Sequence, residues 1–268
     1  MTATQRTAEH NRTALITGAS WGIGHELTKL FTSDGYDVVL VARSQDRLEQ
    51  ICAELEDAHN ITATVIAKDL SVPGAAEELY EAVSAEDIHV DTLVNNAGFA
   101  IYGRFSETDL ERVRELVQLN LVTVTELTRL FVRPMCERGE GQILNVSSLA
   151  GMYPIPKAAI YAATKSYVLS FSVALANELA EDGITVSVLC PGETDTSVLK
   201  RGGLQHSALP EKDLLDPETV AKTGYNGLQQ GQTVVVPGGI KEKLRHHLPR
   251  ILPKTRVAAT AKDYWEKE

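Results

Sequence analysis

A short apolar run, Thr13 to Thr17 (T-A-L-I-T), passes directly into Gly18-Ala19-Ser20-Trp21-Gly22-Ile23-Gly24 and then into a helical pattern from Glu26 to Ser33. Strand, glycine loop and helix in immediate succession leave few architectures open. They predict a strand that ends beneath a helix N-terminus. There, glycines let the backbone approach a phosphate, and unpaired N–H groups with the positive dipole end favour an anion. The spacing is G-x-x-x-G-x-G, not the G-x-G-x-x-G of the commonest dinucleotide fingerprint. Because glycines punctuate many turns, the loop alone does not name a ligand.

The alternation continues along the chain. Strands are expected at 37–42, 61–67, 90–94, 141–146, 185–189 and 233–236, and helices at 45–60, 73–85, 109–138, 161–181 and from Asp216 toward Gln230. Asp216-Pro217-Glu218 opens the last helix with an N-cap, a proline at the first helical position and an acid in the first turn. Connections are short enough for right-handed crossovers, so the pattern predicts an α/β fold: one domain, a doubly wound parallel sheet of about seven strands, helices on both faces. Ligands of such sheets sit at the carboxyl ends of the strands. Asp69, Asn96, Gly98 and Ser147-Ser148 all fall there.

Arg43, which closes the second strand, stands where a dinucleotide-binding unit meets the adenosine ribose. An acid at that place accepts from the 2′-hydroxyl of NAD, whereas an arginine accommodates the 2′-phosphate of NADP. Arg43 therefore favours NADP(H) and leaves NAD(H) as the second choice.

In Tyr161-Ala162-Ala163-Thr164-Lys165 a spacing of four puts a phenol and an ammonium on one helix face. A nearby lysine favours the phenolate and lowers the tyrosine pKa from about 10 toward the working pH of a general acid. Asn120 lies among Leu116, Leu119, Leu121 and Val122, and a buried amide there must find partners or cost a few kcal/mol. From the residues alone, a satisfied core amide and a catalytic one are equally open.

With 43% hydrophobic and 23% charged residues in a chain of 268, an ordinary globular core is expected. Cys52, Cys136 and Cys190 lack metal-ligand spacing, so neither a metal nor a disulfide framework is expected. The net charge of −10 argues against nucleic acid. The polar stretch Met1 to Thr13 and the lack of a long uncharged apolar window lead to the expectation of a cytoplasmic protein.

Taken in order, T-G-A-S-W-G-I-G (17–24), N-N-A-G (95–98), Asn120, S-S-L-A-G (147–151), Y-A-A-T-K (161–165) and P-G-E-T-D-T (191–196) resemble the short-chain dehydrogenase/reductase family. The likeness runs from about Thr13 to Gly239 and points to NADP-preferring bacterial members of broad or unassigned specificity. It implies a Rossmann-type catalytic domain over 13–239 with a lid at about 197–215, a polar extension over 1–12 and a basic tail over 240–268. The resemblance further implies that Tyr161 is the general acid/base of a carbonyl–alcohol interconversion and that Lys165 holds the nicotinamide ribose. Ser148 would stabilise the reacting oxygen, and Asn120 would hold a proton-relaying water. For the cofactor it assigns Gly18, Ser20, Ile23 and Gly24 to the pyrophosphate and ribose, Arg43 to the 2′-phosphate, Asp69 and Leu70 to adenine, and Asn96 to the adenosine side. Gly98 belongs to the same strand end, and Pro191, Gly192 and Thr196 would hold the carboxamide. Trp21 departs from the basic or small residue often found in the loop, leaving Arg43 to face the phosphate alone. Thr194 replaces a branched apolar residue.

Two rival functions are a dinucleotide-binding sensor or scaffold with little catalysis, and an epimerase or dehydratase using the same tyrosine and lysine. The Ser148–Tyr161 pair speaks against the first, and the short region after Thr196 against the second. The substrate is expected to be a small-molecule carbonyl or alcohol read by 99–105 and 197–215, with a leaning toward hydrophobic compounds. The family also implies a homodimer or homotetramer. Leu244, Leu248, Ile251 and Leu252 among Lys241, Lys243, Arg245 and Arg250 raise a membrane-surface role. Pro249 and Pro253 interrupt any long helix, which favours a solvated or dimer-packing tail.

Overall fold

The structure is a computed structural model and describes residues 12–194, 214–239 and 252–265. Seven parallel strands form one sheet in the order β3-β2-β1-β4-β5-β6-β7. They are β1 Thr13–Thr17, β2 Asp37–Ala42, β3 Ala63–Ala67, β4 Thr92–Asn95, β5 Gly141–Val146, β6 Ile184–Leu189 and β7 Val234–Val235. The order reverses between β1 and β4, and the crevice at such a reversal is where ligands of doubly wound sheets bind.

Alternation along the strands builds both faces. Ala14, Ile16, Val38, Leu40, Val94 and Leu144 point into one core, with α1 (Gly22–Ser33), α2 (Gln45–Ala58) and α7 (Pro217–Gln229) packed on it. Their neighbours Leu15, Val39, Val41, Leu93 and Ile143 point into the other, beneath α3 (Ala75–Ala85), α5 (Val124–Arg138) and α6 (Ala159–Glu178). A side-chain period of two puts successive residues on opposite faces, and each fully buried aliphatic chain contributes roughly 1.5–3 kcal/mol of transfer free energy. The continuous apolar runs of the central strands are therefore the signature of a sheet covered on both sides.

Two boundaries differ from the sequence expectation in ways that bear on function. Helix α1 begins at Gly22, four residues early, so the last glycine of the loop lies within its first turn. The expected single helix over 109–138 is instead α4 (Leu110–Val117), a π-helical stretch Gln118–Thr123 and then α5. Asn120 sits in that widened turn, and such turns are frequent at functional sites.

Helix α6, 20 residues with a mean hydropathy of 1.3, is apolar and long enough by composition to cross a membrane. Here it packs one face against β5, β6 and the π-helical turn, with about a third of its length buried. Beyond Pro253 the chain forms α8 (Lys254–Trp265), so this proline precedes a helix. Residues 240–251 and most of the expected lid, 197–213, lie outside the described residues.

Candidate active site

At the carboxyl edge of β1 the glycine loop is held by backbone geometry. Gly18 has φ +68° and donates its N–H to the Val41 carbonyl at 2.7 Å. A methyl group added at Gly24 would stand 2.4 Å from the Gly18 carbonyl oxygen and from Asn96 Nδ2. No side chain fits there, so the loop presents backbone rather than bulk to the cleft. Asn96 braces this loop: Nδ2 donates to Thr17 O at 2.9 Å and to Gly18 O at 3.2 Å. The N–H groups of Asn96 and Ala97 both donate to Thr17 Oγ1 at 3.0 Å. Gly18, Ser20, Ile23 and Asn96 all line the same cleft.

The ends of β2 and β3 form a second, more exposed cluster. Arg43 Nη1 lies 3.8 Å from Asp69 Oδ2. Burial opposes ionisation of Asp69, but hydrogen bonds from Ser71 and the Arg43 guanidinium outweigh it and hold the carboxyl below its ordinary value. Leu70 is 4% exposed and its side chain belongs to the core, which leaves only its backbone for a ligand. Arg43 has company that the sequence did not reveal: the Arg47 guanidinium stacks over the Trp21 ring, 4.6 Å from its centroid. Buried Arg47 Nε has no hydrogen-bond partner, and Trp21 is half exposed at the cleft. Arg43 and Arg47 are four apart across the N-terminus of α2. That spacing was the available signal, and the contact with Trp21 needs the fold.

Where β5 meets α6, the chemistry-bearing side chains converge. Ser148 lines the cleft, and its Oγ accepts from Ala150 N at 3.1 Å. Its neighbour Ser147 is buried and donates to the Lys165 carbonyl at 2.7 Å, so Ser147 secures α6 while Ser148 faces the cleft. Tyr161 and Lys165, one turn apart on α6, line the cleft together. Lys165 is 6% exposed and Nζ donates to Val146 O at 2.8 Å. Gly98 packs against this group: a methyl there would stand 3.0 Å from Asn120 Oδ1 and 3.5 Å from Lys165 Nζ. Asn120, wholly buried, clamps the loop after β4, donating from Nδ2 to Phe99 O at 2.9 Å and accepting from Phe99 N at 3.2 Å.

The electrostatics reverse one expectation. Burial pushes the Tyr161 phenol above its ordinary value, the neighbouring Ser148 hydroxyl pulls it down, and the Glu193 charge pushes it up again. Lys165 Nζ stands 5.9 Å from the ring centroid and gives a hydrogen bond to Val146 O at 2.8 Å. Burial also brings the Lys165 ammonium down to about 8.

Pro191 and Gly192 border the cleft, and Pro191 O accepts from Leu149 N at 2.8 Å. Thr194 is buried, lines the cleft and donates its hydroxyl to Gly192 O at 3.0 Å. Thr196 lies outside the described residues. The lining also includes Tyr102, within the expected stretch 99–105, Glu193, within P-G-E-T-D-T, and Tyr153 and Ile155, which the sequence does not mark. They stand on loops, where no periodicity marks an inward residue. Of the expected substrate stretch 99–105, residues 99–102 line the cleft, while Phe105 is 70% exposed.

The model of the family described as short chain dehydrogenase matches residues 12–205. Among curated relatives, the very-long-chain 3-oxoacyl-CoA reductase of Bos taurus is 33% identical over 216 residues, 78% of this chain and 66% of that one. The ketoacyl reductase HetN of a Nostoc strain is 36% identical over 183 residues, 68% of this chain and 63% of that one. The chain thus spans just under two thirds of the length of each. Among solved structures, a short-chain dehydrogenase from Sphingobium yanoikuyae in complex with NADPH aligns with a TM-score of 0.80 and 30% identity, covering 90% of this chain and 96% of that one. A bulky-bulky ketone specific alcohol dehydrogenase from Comamonas testosteroni aligns at 0.75 and 30%, covering 91% and 95%. With fold, motif order and these relatives in agreement, the chain belongs to the short-chain dehydrogenase family and is an oxidoreductase of that family.

Proposed function

We propose that this protein reduces an apolar carbonyl compound to its alcohol, or runs the reverse reaction, with NADP(H) as cofactor and Tyr161 as general acid/base. The observation that carries this reading is the meeting of Ser148, Tyr161 and Lys165 with the glycine loop in one cleft. A protein that only bound a dinucleotide would have no use for the serine and tyrosine together. The bound nicotinamide supplies or accepts the hydride. Tyr161 gives a proton to the carbonyl oxygen as charge develops on it, and Ser148 donates a hydrogen bond to the same oxygen. Lys165 holds the nicotinamide ribose and, as a cation near the phenol, makes its proton easier to release once bound groups reorganise the site. Asn120, fastened to Phe99, keeps the strand end and the π-helical turn in register. It holds the relay water through that turn.

Preference for NADP(H) rests on two guanidinium groups at the adenosine end, Arg43 and Arg47, the latter oriented by Trp21. The Sphingobium neighbour, described with NADPH, agrees with this assignment. For the substrate, apolar Tyr153, Ile155 and Ala100 favour a hydrophobic carbonyl, and the 3-oxoacyl thioesters named for the Bos taurus relative are the first class to try. Self-association through the helices bearing Asn120 and Tyr161 completes the reading, and light scattering on the purified protein tests it.

The deciding experiment is Tyr161→Phe. NADPH affinity is expected to stay within about twofold while turnover falls by about 10²–10⁴, the usual contribution of a general acid. Turnover within tenfold of the unaltered enzyme would remove Tyr161 from the mechanism.

A further inference from the structure

Beside the reaction cleft runs an apolar groove of about 420 Å³, roofed by α8 and floored by the loop after Ser148 and the outer face of α6. Tyr153 and Ile155 line both the groove and the cleft, so the two spaces adjoin at these residues. Gly151 opens the groove only three residues after Ser148, and Ala162 lines it next to Tyr161 on α6.

Its shape comes from small residues. A methyl at Gly151 would fall 2.7 Å from the backbone of Lys165, which shows how closely the loop is laid on α6. Alanines at 162 on α6 and 258 on α8 leave the space between the two helices unfilled. The polar side chains of the lining, Tyr153, Ser166 and Lys254, leave most of the wall apolar, and an ordered water needs two to four polar partners. An occupant that gains from this surface is hydrocarbon. A hydrogen bond also fixes the far end of the loop, where Gly103 N donates to Lys157 O at 2.8 Å and ties the segment after β4 to it.

We propose that this groove holds the alkyl tail of a long-chain carbonyl substrate, with the tail passing Tyr153 and Ile155 while the carbonyl lies at Ser148 and Tyr161. This rests on the carbonyl-reductase reading given above. It adds chain-length selectivity, placed in α8 and the 151–156 loop.

The test compares acetoacetyl-CoA with 3-oxohexadecanoyl-CoA in NADPH oxidation by the full chain and by Ala258→Trp, which fills the groove from its outer side. In the variant kcat/KM for the C16 thioester is expected to fall at least about tenfold, mainly through KM, the cost of losing roughly two buried methylenes. The C4 thioester should stay within about twofold. A chain ending at Pro253, which unroofs the groove, should act in the same direction and covers the case in which Ala258→Trp fails to fold. Equal effects on both thioesters, or no effect on either, would overturn the proposal. So would a change of oligomeric state in Ala258→Trp, which would make the groove a contact between copies. If the unaltered chain reduces neither thioester, the substrate reading fails by itself. Fluorescence anisotropy of a BODIPY-labelled C16 fatty acid then decides the groove: weaker binding to Ala258→Trp supports it and equal binding overturns it.

Discussion

The two ends of the cleft are built on different principles. At the cofactor end, Gly18, Gly24 and Asn96 are fixed by backbone hydrogen bonds and by contacts too tight for any added atom. At the substrate end, Tyr102, Tyr153, Ile155 and Glu193 project from loops and are placed by the packing of several elements. The first end leaves no room for an added methyl at Gly18 or Gly24. The second can change side chain by side chain without disturbing the sheet, which is how one fold serves many substrates.

The contrast is sharpest for Gly24→Ala. A methyl 2.4 Å from the Gly18 carbonyl must push the loop apart, so NADPH affinity is expected to fall about 100-fold or more, read by quenching of Trp21 fluorescence. Binding within about fivefold of normal would show that the loop yields more readily than its contacts imply. Arg43→Ala comes next: about a tenfold to hundredfold loss for NADPH with little change for NADH, as removal of a charge-assisted contact predicts. Should both dinucleotides weaken alike, Arg43 serves the loop and not the 2′-phosphate.

Tyr153→Ala addresses the other end. NADPH affinity should stay within about twofold while kcat/KM shifts roughly tenfold, up for bulky ketones and down for small ones. A parallel loss of NADPH binding would erase the division between the two ends.

A further expected effect is on stability, at Lys165 between the two ends. Burial lowers the Lys165 pKa from 10.5 to about 8. Between those values the unfolded chain binds more protons at this site than the folded one, so stability rises with pH from about 8 and levels off near 10.5. Lys165→Met should remove that rise from urea-unfolding curves measured across pH 7–10, a difference of at most about 3 kcal/mol. Identical pH slopes for the two proteins would mean that the buried ammonium costs nothing.

The alternation of apolar runs with helical patterns was enough to predict the sheet, because strands covered on both faces must be continuously apolar, and Leu15, Val39 and Leu93 obey that rule. Gly18, Tyr161 and Lys165 were legible for a related reason: short-range spacing on one turn or one helix face translates directly into shared position, whereas Ser148 came from the family resemblance. Asn120 was legible as a residue but not as a geometry. Its clamp on Phe99 reaches across 21 residues, and the π-helical turn around it has no signature in composition.

Arg47 and Glu193 mark the limit of such reading. Both sit beside residues already in view, yet the stacking on Trp21 and the charge felt by Tyr161 arise between segments far apart in the chain. Local sequence determined which elements form and which polar residues end at the carboxyl edge of the sheet. Only the tertiary structure decided which loop side chains face one another there, how burial sets the protonation of Tyr161 and Lys165, and that α8 lies over the loop after Ser148. Those outcomes depend on desolvation and contact, and neither exists until the chain has packed.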